Sequence, residues 1–206
     1  MALGLAGAHR TGKTTLATEI AEQHGIQFLQ TVTASIFERE GVDPSLPMPF
    51  EVRMRMQNLV LDSACEIWSG ATGTFVSDRT PVDMLAYTMA DMNANRKLSN
   101  SEESLVVEYI KRCYKASNDH FQVIILIQPG IPVMEAMKLS GPMDAMYMEH
   151  FNFIAVGALT DARSKNLRYV MPRAILSLQG RVDYASRCYS NHLVALDQER
   201  LAVSVH

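Results

Sequence analysis

Cysteine is scarce in this chain. Cys65, Cys113 and Cys188 are the three in 206 residues, odd in number and far apart, which excludes a disulfide framework and a zinc site built on paired thiolates. Long apolar runs are missing as well. None approaches the roughly 18 residues of a membrane span, and the N-terminus lacks the charged start and small-residue cleavage site of a secretion signal. No membrane partner is therefore expected, and the expected compartment is the cytoplasm. Neither sign of charge prevails, since 19 Lys and Arg face 22 Asp and Glu for a net charge of -3. That argues against a broadly basic nucleic-acid coat while leaving room for a local basic strip. The histidines lack metal-ligand spacing: His24 ends a helical pattern, His120 precedes an apolar run, and His150 and His192 lie within helical patterns. With no internal repeat, low-complexity segment or linker, 1–206 reads as a single domain, long enough to bury a core without disulfides or metals. The 13 methionines are scattered and read as core filler.

What the chain does have, close to its start, is Gly7-Ala8-His9-Arg10-Thr11-Gly12-Lys13-Thr14, a complete G-x-x-x-x-G-K-[ST] phosphate loop. Its glycines permit a tight turn whose backbone N–H groups face a polyphosphate, Lys13 reaches the β- and γ-phosphates, and the Thr14 hydroxyl binds Mg²⁺. The apolar run Ala2 to Ala6 before it predicts a buried strand, and Leu16, Ala17, Ile20 and Ala21 after it recur at helical spacing. Strand, loop and helix N-terminus in that order aim amides and a helix dipole at an anion. Gly7 through Thr15 are accordingly the expected contacts of ATP, with Mg²⁺ beside Thr14.

Further along, the first helix should end at Gly25, a C-terminal cap, with a short strand over Ile26 to Leu29. Val52, Met56, Leu59, Val60 and Ile67 share one face of a helix over Phe50 to Trp68, leaving Arg53 and Arg55 free to point elsewhere. Thr74 to Ser77 predicts a strand that delivers Asp78 and Arg79 at its C-terminal end, where open α/β sheets bind ligands. Pro81 suits the first turn of the next helix, and Asn100 with Glu103 has the spacing of a capping box for another. Val123 to Ile127 is a continuous buried-strand pattern ending at Gln128-Pro129-Gly130, followed by a methionine-rich segment, 130–142, that reads as a lid over the phosphate site. A helix over Asp144 to Leu159, a strand over Arg168 to Met171 and a helix over Ile175 to Leu196 complete the series. Such alternation predicts an α/β fold of the P-loop NTPase type: a parallel sheet of about five strands, with helices on both faces.

Phosphoryl transfer draws most of its rate from positioning, a metal ion and positive charge on the moving group. Lys13 and Thr14 supply part of this. Arg10, inside the anion-binding turn, is placed to act as an arginine finger in cis, the alternative being a solvated or carboxylate-paired loop arginine. Asp78 is the candidate metal or acceptor carboxylate, because the strand ending at Ile127 is followed by Gln128; its other reading is a helix-capping aspartate before Thr80-Pro81. Arg79 would hold an acceptor anion or Asp78 itself. Arg96, Lys97, Lys111, Arg112 and Lys115 form the densest basic stretch, either a solvated helix face or a groove for a DNA strand.

The phosphate loop, Ser77-Asp78-Arg79-Thr80 and Ala86-Tyr87 at fixed distance together resemble the thymidylate kinase group of P-loop kinases and related small bacteriophage kinases. The resemblance implies an ATP- and Mg²⁺-dependent kinase acting on a pyrimidine-nucleotide-type acceptor, with Tyr87 and Arg79 lining the acceptor side and an acceptor-binding arginine at Arg53 or Arg55. It also implies a catalytic arginine in the loop, Arg10, paired with a lid poor in arginine; Lys138 and His150 are the basic residues of 130–150. The chain departs from the family at His9, where such kinases commonly carry an aspartate for the sugar 3′-hydroxyl, and at Thr80 and Thr88. Two acceptors follow: a free deoxynucleoside monophosphate, or the hydroxymethyl group of 5-hydroxymethyluracil in phage DNA, with the first preferred because the chain is acidic. A second copy of the chain is a further expected partner, and for a phage protein the compartment is the host cytoplasm. The reading of another class is a P-loop ATPase or nucleotide switch acting on a protein or DNA partner.

Overall fold

The computed structural model describes residues 2–44, 46–92, 97–131 and 145–204, the last twelve of these by backbone alone. Five strands, β1 (Ala2–Ala6), β2 (Gln27–Leu29), β3 (Phe75–Ser77), β4 (Val123–Ile127) and β5 (Leu167–Met171), form one parallel sheet in the order β2-β3-β1-β4-β5. Between and after them come α1 (Lys13–His24), α2 (Thr33–Arg39), α3 (Phe50–Ser69), α4 (Pro81–Ala90), α5 (Asn100–His120), α6 (Ala145–Thr160) and α7 (Leu178–Ser204).

Alternation along the central strands decides the layers. Leu3 and Leu5 of β1 and Val123, Ile125 and Ile127 of β4 pack with Leu16, Ile20, Val182 and Ala185, so α1 and α7 cover one face. Ala2, Ala6, Phe75, Ile124 and Leu126 face the larger cluster built with α3, α4, α5 and α6. A strand buried on both sides has no polar face to show, which is why β4 reads as an unbroken apolar run. From β1 the chain moves first to one side, through β2 and β3, and later to the other, through β4 and β5. A crevice therefore opens outside the C-terminal end of β1, the place where the phosphate loop begins.

Several boundaries differ from expectation. The cap of α5 is Ser99, not Asn100: its hydroxyl accepts from the Glu102 N–H at 3.3 Å, and the Glu102 carboxylate accepts from the Ser99 N–H at 2.9 Å. Both pairs have the same three-residue spacing, so spacing could not choose between them. The last helix begins at Leu178 rather than Ile175, and the short helix α2 was not anticipated. Most of the expected lid, 132–142, together with Lys138 and Asp144, lies outside the described residues, as does Arg96 of the basic stretch. Among the described residues no helix is long and apolar enough to cross a membrane.

Candidate functional site

Gly7 leaves β1 at φ +150°, and a Cβ there would lie 2.5 Å from the Ile127 carbonyl oxygen, so only glycine lets the loop pass so close to the end of β4. Gly12, at φ +79°, turns the chain into α1. Between them Arg10 adopts φ +60°, alone among described non-glycine residues, a conformation costing about 1–2 kcal/mol. Thr11 Oγ1 donates to the Ala8 carbonyl at 2.9 Å and closes the turn. Lys13, buried, donates to the carbonyls of Gly7 and Ala8 at 2.8 and 2.7 Å. Burial pushes its ammonium below the ordinary lysine range; Asp83 opposes that shift, Arg79 adds to it and Asp78 opposes it.

Thr14 and Asp78 meet across 64 residues of sequence, the Thr14 hydroxyl donating to Asp78 Oδ2 at 2.6 Å. Asp78 Oδ1 is buried and has no hydrogen-bond partner. A hydroxyl and a carboxylate with one unsatisfied oxygen, beside a phosphate loop, are the kind of oxygen donors that Mg²⁺ takes, with water and phosphate completing its shell. The residues present thus fit the ion. Asp78 does not cap α4. Thr80 does, accepting from the Asp83 N–H at 3.4 Å, while Asp83 Oδ2 accepts from the Thr80 N–H at 3.2 Å. The cap that the alternative reading placed at Asp78 thus lies two residues later, at Thr80.

Asp83 was not foreseen as a site residue. It is fully buried, and its Oδ1 accepts from the Gly7 N–H at 2.6 Å, so one carboxylate binds the start of the phosphate loop to the turn that carries Asp78 and Arg79. Burial drives its pKa up, and the charges of Lys13 and Arg79 and the N–H groups of Gly7 and Thr80 oppose this. The signal available in the sequence was Thr80-Pro81-Val82-Asp83, a capping box with Pro at N1; nothing local marked its bond to Gly7. Arg181 on α7 was also missed. Its Nη1 donates to the Thr11 carbonyl at 2.6 Å and its Nε to the Ile175 carbonyl at 2.9 Å.

Beside the loop, His9, Tyr87 and Phe151 form a ladder of tilted rings with centroids 4.5 and 4.4 Å apart, and the Arg79 guanidinium stands 5.2 Å from the Tyr87 ring centre. The His9 ring opens to solvent at its rim, yet enclosure by the fold and then the charges of Arg79, Lys13 and Arg10 hold its pKa down at about 3. Below Arg79, the Ser77 hydroxyl accepts from its N–H at 3.4 Å and from the Trp68 indole at 3.1 Å.

A cavity of about 790 Å³ collects these groups. Its walls are His9, Arg10 and Gly12 to Thr15 of the loop, Asp78 and Arg79, and the segment from Gln30 to Ser35 with Glu38. Tyr87 is not a wall residue and lies behind His9 and Arg79, which are. Arg53 and Arg55 are elsewhere: Arg53 pairs with Asp91 at 2.7 Å, beside Tyr147, and Arg55 with Glu40 at 3.0 Å. The described part of the basic stretch does not line the cavity either; Arg112 pairs with Asp62 and donates to Asn58, and Lys115 pairs with Asp119. Gln128 ties β4 to β5, its amide donating to the Met171 carbonyl at 3.1 Å.

Solved structures with this architecture include the Mycoplasma mycoides deoxyadenosine kinase. With bound dCTP it aligns at TM-score 0.62 and 11% identity over 93% of this chain and 100% of that one. With the products dCMP and dCDP it aligns at 0.66 and 14% over the same shares. The Candida albicans thymidylate kinase aligns at 0.51 and 10% identity over 93% of this chain and 91% of its own. These likenesses establish the P-loop NTPase fold. No curated protein sequence matches the chain. A family model described as an AAA domain matches residues 3–114, the span from β1 into α5 that contains the phosphate loop, Asp78 and Asp83, and the chain belongs to that family.

Proposed function

We propose that this chain is an ATP- and Mg²⁺-dependent kinase transferring the γ-phosphoryl group to a pyrimidine-nucleotide-type acceptor. The observation that supports this best is the shared cavity: the phosphate loop, the Asp78-Arg79 turn and the Gln30 to Ser35 segment line one space of about 790 Å³. A hydrolase has to admit only water, whereas a transferase needs room for a second substrate beside the first. Arg10 and Lys13 stabilise charge on the moving group, Thr14 and Asp78 hold the metal, and Arg79 with the His9–Tyr87 rings bounds the acceptor side. Mg²⁺, when bound, supplies neutralisation of the phosphate oxygens. Arg53 and Arg55, each in an ion pair away from the cavity, are left as acceptor contacts only if a rearrangement brings them in.

Of the two acceptors, a free deoxynucleoside monophosphate is favoured over hydroxymethyluracil in phage DNA. Arg112 and Lys115 are paired with Asp62 and Asp119, and neither lines the cavity, so among the described residues these two charges do not extend it toward a DNA strand. The site of action in this reading is the cytoplasm, that of a host if the gene is viral. A labelled-ATP transfer panel containing free deoxynucleotides, nucleosides, ordinary DNA and 5-hydroxymethyluracil DNA tests it, with label expected on a pyrimidine deoxynucleoside monophosphate. Label on the modified DNA replaces the acceptor; ATP turnover that needs no acceptor and rises with DNA or a protein replaces the kinase by an ATPase or switch.

A further inference from the structure

Among the described residues Arg181 meets no anion. The residue is 2% exposed, and among the described residues no carboxylate lies within ion-pair distance of it; its contacts are the carbonyls of Thr11 and Ile175. Burial alone lowers its pKa, with no charged neighbour contributing. Taking a guanidinium out of water without a counter-charge costs stability, and two carbonyl dipoles recover only part of that. A buried cation with a lowered pKa beside a cleft is a candidate functional group.

Its position says which ligand. The Nη1 that holds the Thr11 carbonyl lies 3.4 Å from where a Cβ of Gly12 would be, so the charge stands directly behind one wall residue of the cavity. Thr11 and Gly12 are the residues whose peptide units precede Lys13 and the first turn of α1, the part of the loop that wraps an anion. We propose that Arg181 is a positioning residue for the donor: from α7 it fixes the Thr11–Gly12 stretch of the loop by its hydrogen bond and supplies a standing positive charge that the bound triphosphate neutralises. This rests on the loop holding a triphosphate, the donor half of the kinase proposal, and does not depend on what accepts the phosphoryl group.

The test measures binding on the full chain, with ATP and with inorganic tripolyphosphate as probes and adenosine as the uncharged control. Arg181→Gln removes the charge and keeps an amide donor at the place of Nε, within reach of the Ile175 carbonyl; Arg181→Lys keeps the charge and shortens the reach by one atom. For Arg181→Gln, Kd for ATP and for tripolyphosphate should rise by about tenfold or more while adenosine is unaffected. Its melting temperature without ligand should equal or exceed that of the natural chain, because an unpaired buried charge has gone, and the upward shift caused by ATP should shrink. Arg181→Lys should stay within about threefold in Kd. A purely structural arginine gives the opposite pattern, a lower melting temperature with unchanged Kd, and that result overturns the inference. If the glutamine variant does not fold, Arg181→Met, which fills similar space without charge, is measured instead: a loss of about tenfold in tripolyphosphate affinity supports the role of charge, and an unchanged Kd removes it. Should the natural chain bind tripolyphosphate yet label no acceptor, the kinase proposal fails and this one is still judged by the same binding data.

Discussion

Replacing Asp83 by alanine should be among the most damaging single changes in the protein. The carboxylate accepts from Gly7 N–H at 2.6 Å and from Thr80 N–H at 3.2 Å, and both donors are buried with it. Alanine leaves the two N–H groups without acceptors, at about 1–3 kcal/mol each. Against this stands relief from desolvating a carboxylate whose pKa burial drives upward, so a net loss of about 2–4 kcal/mol is expected. For a chain of this length that corresponds to a fall in Tm of roughly 5–15 °C. Asp83→Asn retains one acceptor oxygen and turns its other atom into a donor, so it should keep one of the two bonds and fall between the natural protein and alanine. Urea unfolding with a shared m-value gives the difference directly. A loss below about 0.5 kcal/mol for Asp83→Ala would refute the idea that this carboxylate holds the loop to the α4 turn.

The remaining expectations concern the loop and the strand beneath it. Arg10→Ala should lower kcat by about 10³-fold with little change in ATP affinity, and full activity would remove the in-cis finger. Asp78→Asn should reduce the rate far more than ATP affinity and weaken the dependence on Mg²⁺, read from a metal titration of initial rates. Gly4→Ala would place a Cβ 2.5 Å from Thr80 Cγ2 and 3.0 Å from the Phe121 ring; a cost of about 1–3 kcal/mol in urea is expected, with the Thr80 turn disturbed. His9 has a folded-state pKa below its ordinary 6.5, at about 3, so the unfolded chain binds the extra proton. Its effect on stability is absent above pH 6.5 and grows as a loss while pH falls from there toward 3. His9→Gln should therefore lose less stability than the natural chain across that acid range, followed by Tm against pH.

The turn of the phosphate loop was legible because it is local: two glycines, a lysine and a threonine at fixed spacing define it. The sheet was legible for a similar reason, since β1 and β4 are runs apolar on both faces and turn residues bound them. Asp78 could be placed near the loop from strand position alone, and it does meet Thr14 there. What escaped is what long-range packing creates. Asp83 looks like an ordinary capping residue until β1 and α4 come together, and Arg181 looks like a solvated helix arginine until α7 lies against α1. Arg53 and Arg55 show the reverse, since free-looking charges on α3 found carboxylates on neighbouring elements. Helix α2 has only Ile36 and Phe37 buried, too few to impose a period.

The bond from Trp68 to Ser77 has a practical consequence. Trp68 is the chain's single tryptophan, 2% exposed, edge-on to Phe121, and its indole N–H shares the Ser77 hydroxyl with the backbone of Arg79. Indole emission depends on the polarity and hydrogen bonding of its surroundings, so selective excitation of this one residue reports on the foot of the Asp78-Arg79 turn. Occupancy of the cavity, if it shifts that turn, becomes visible as a change in emission without any label, and the protein carries its own optical gauge for whatever enters there.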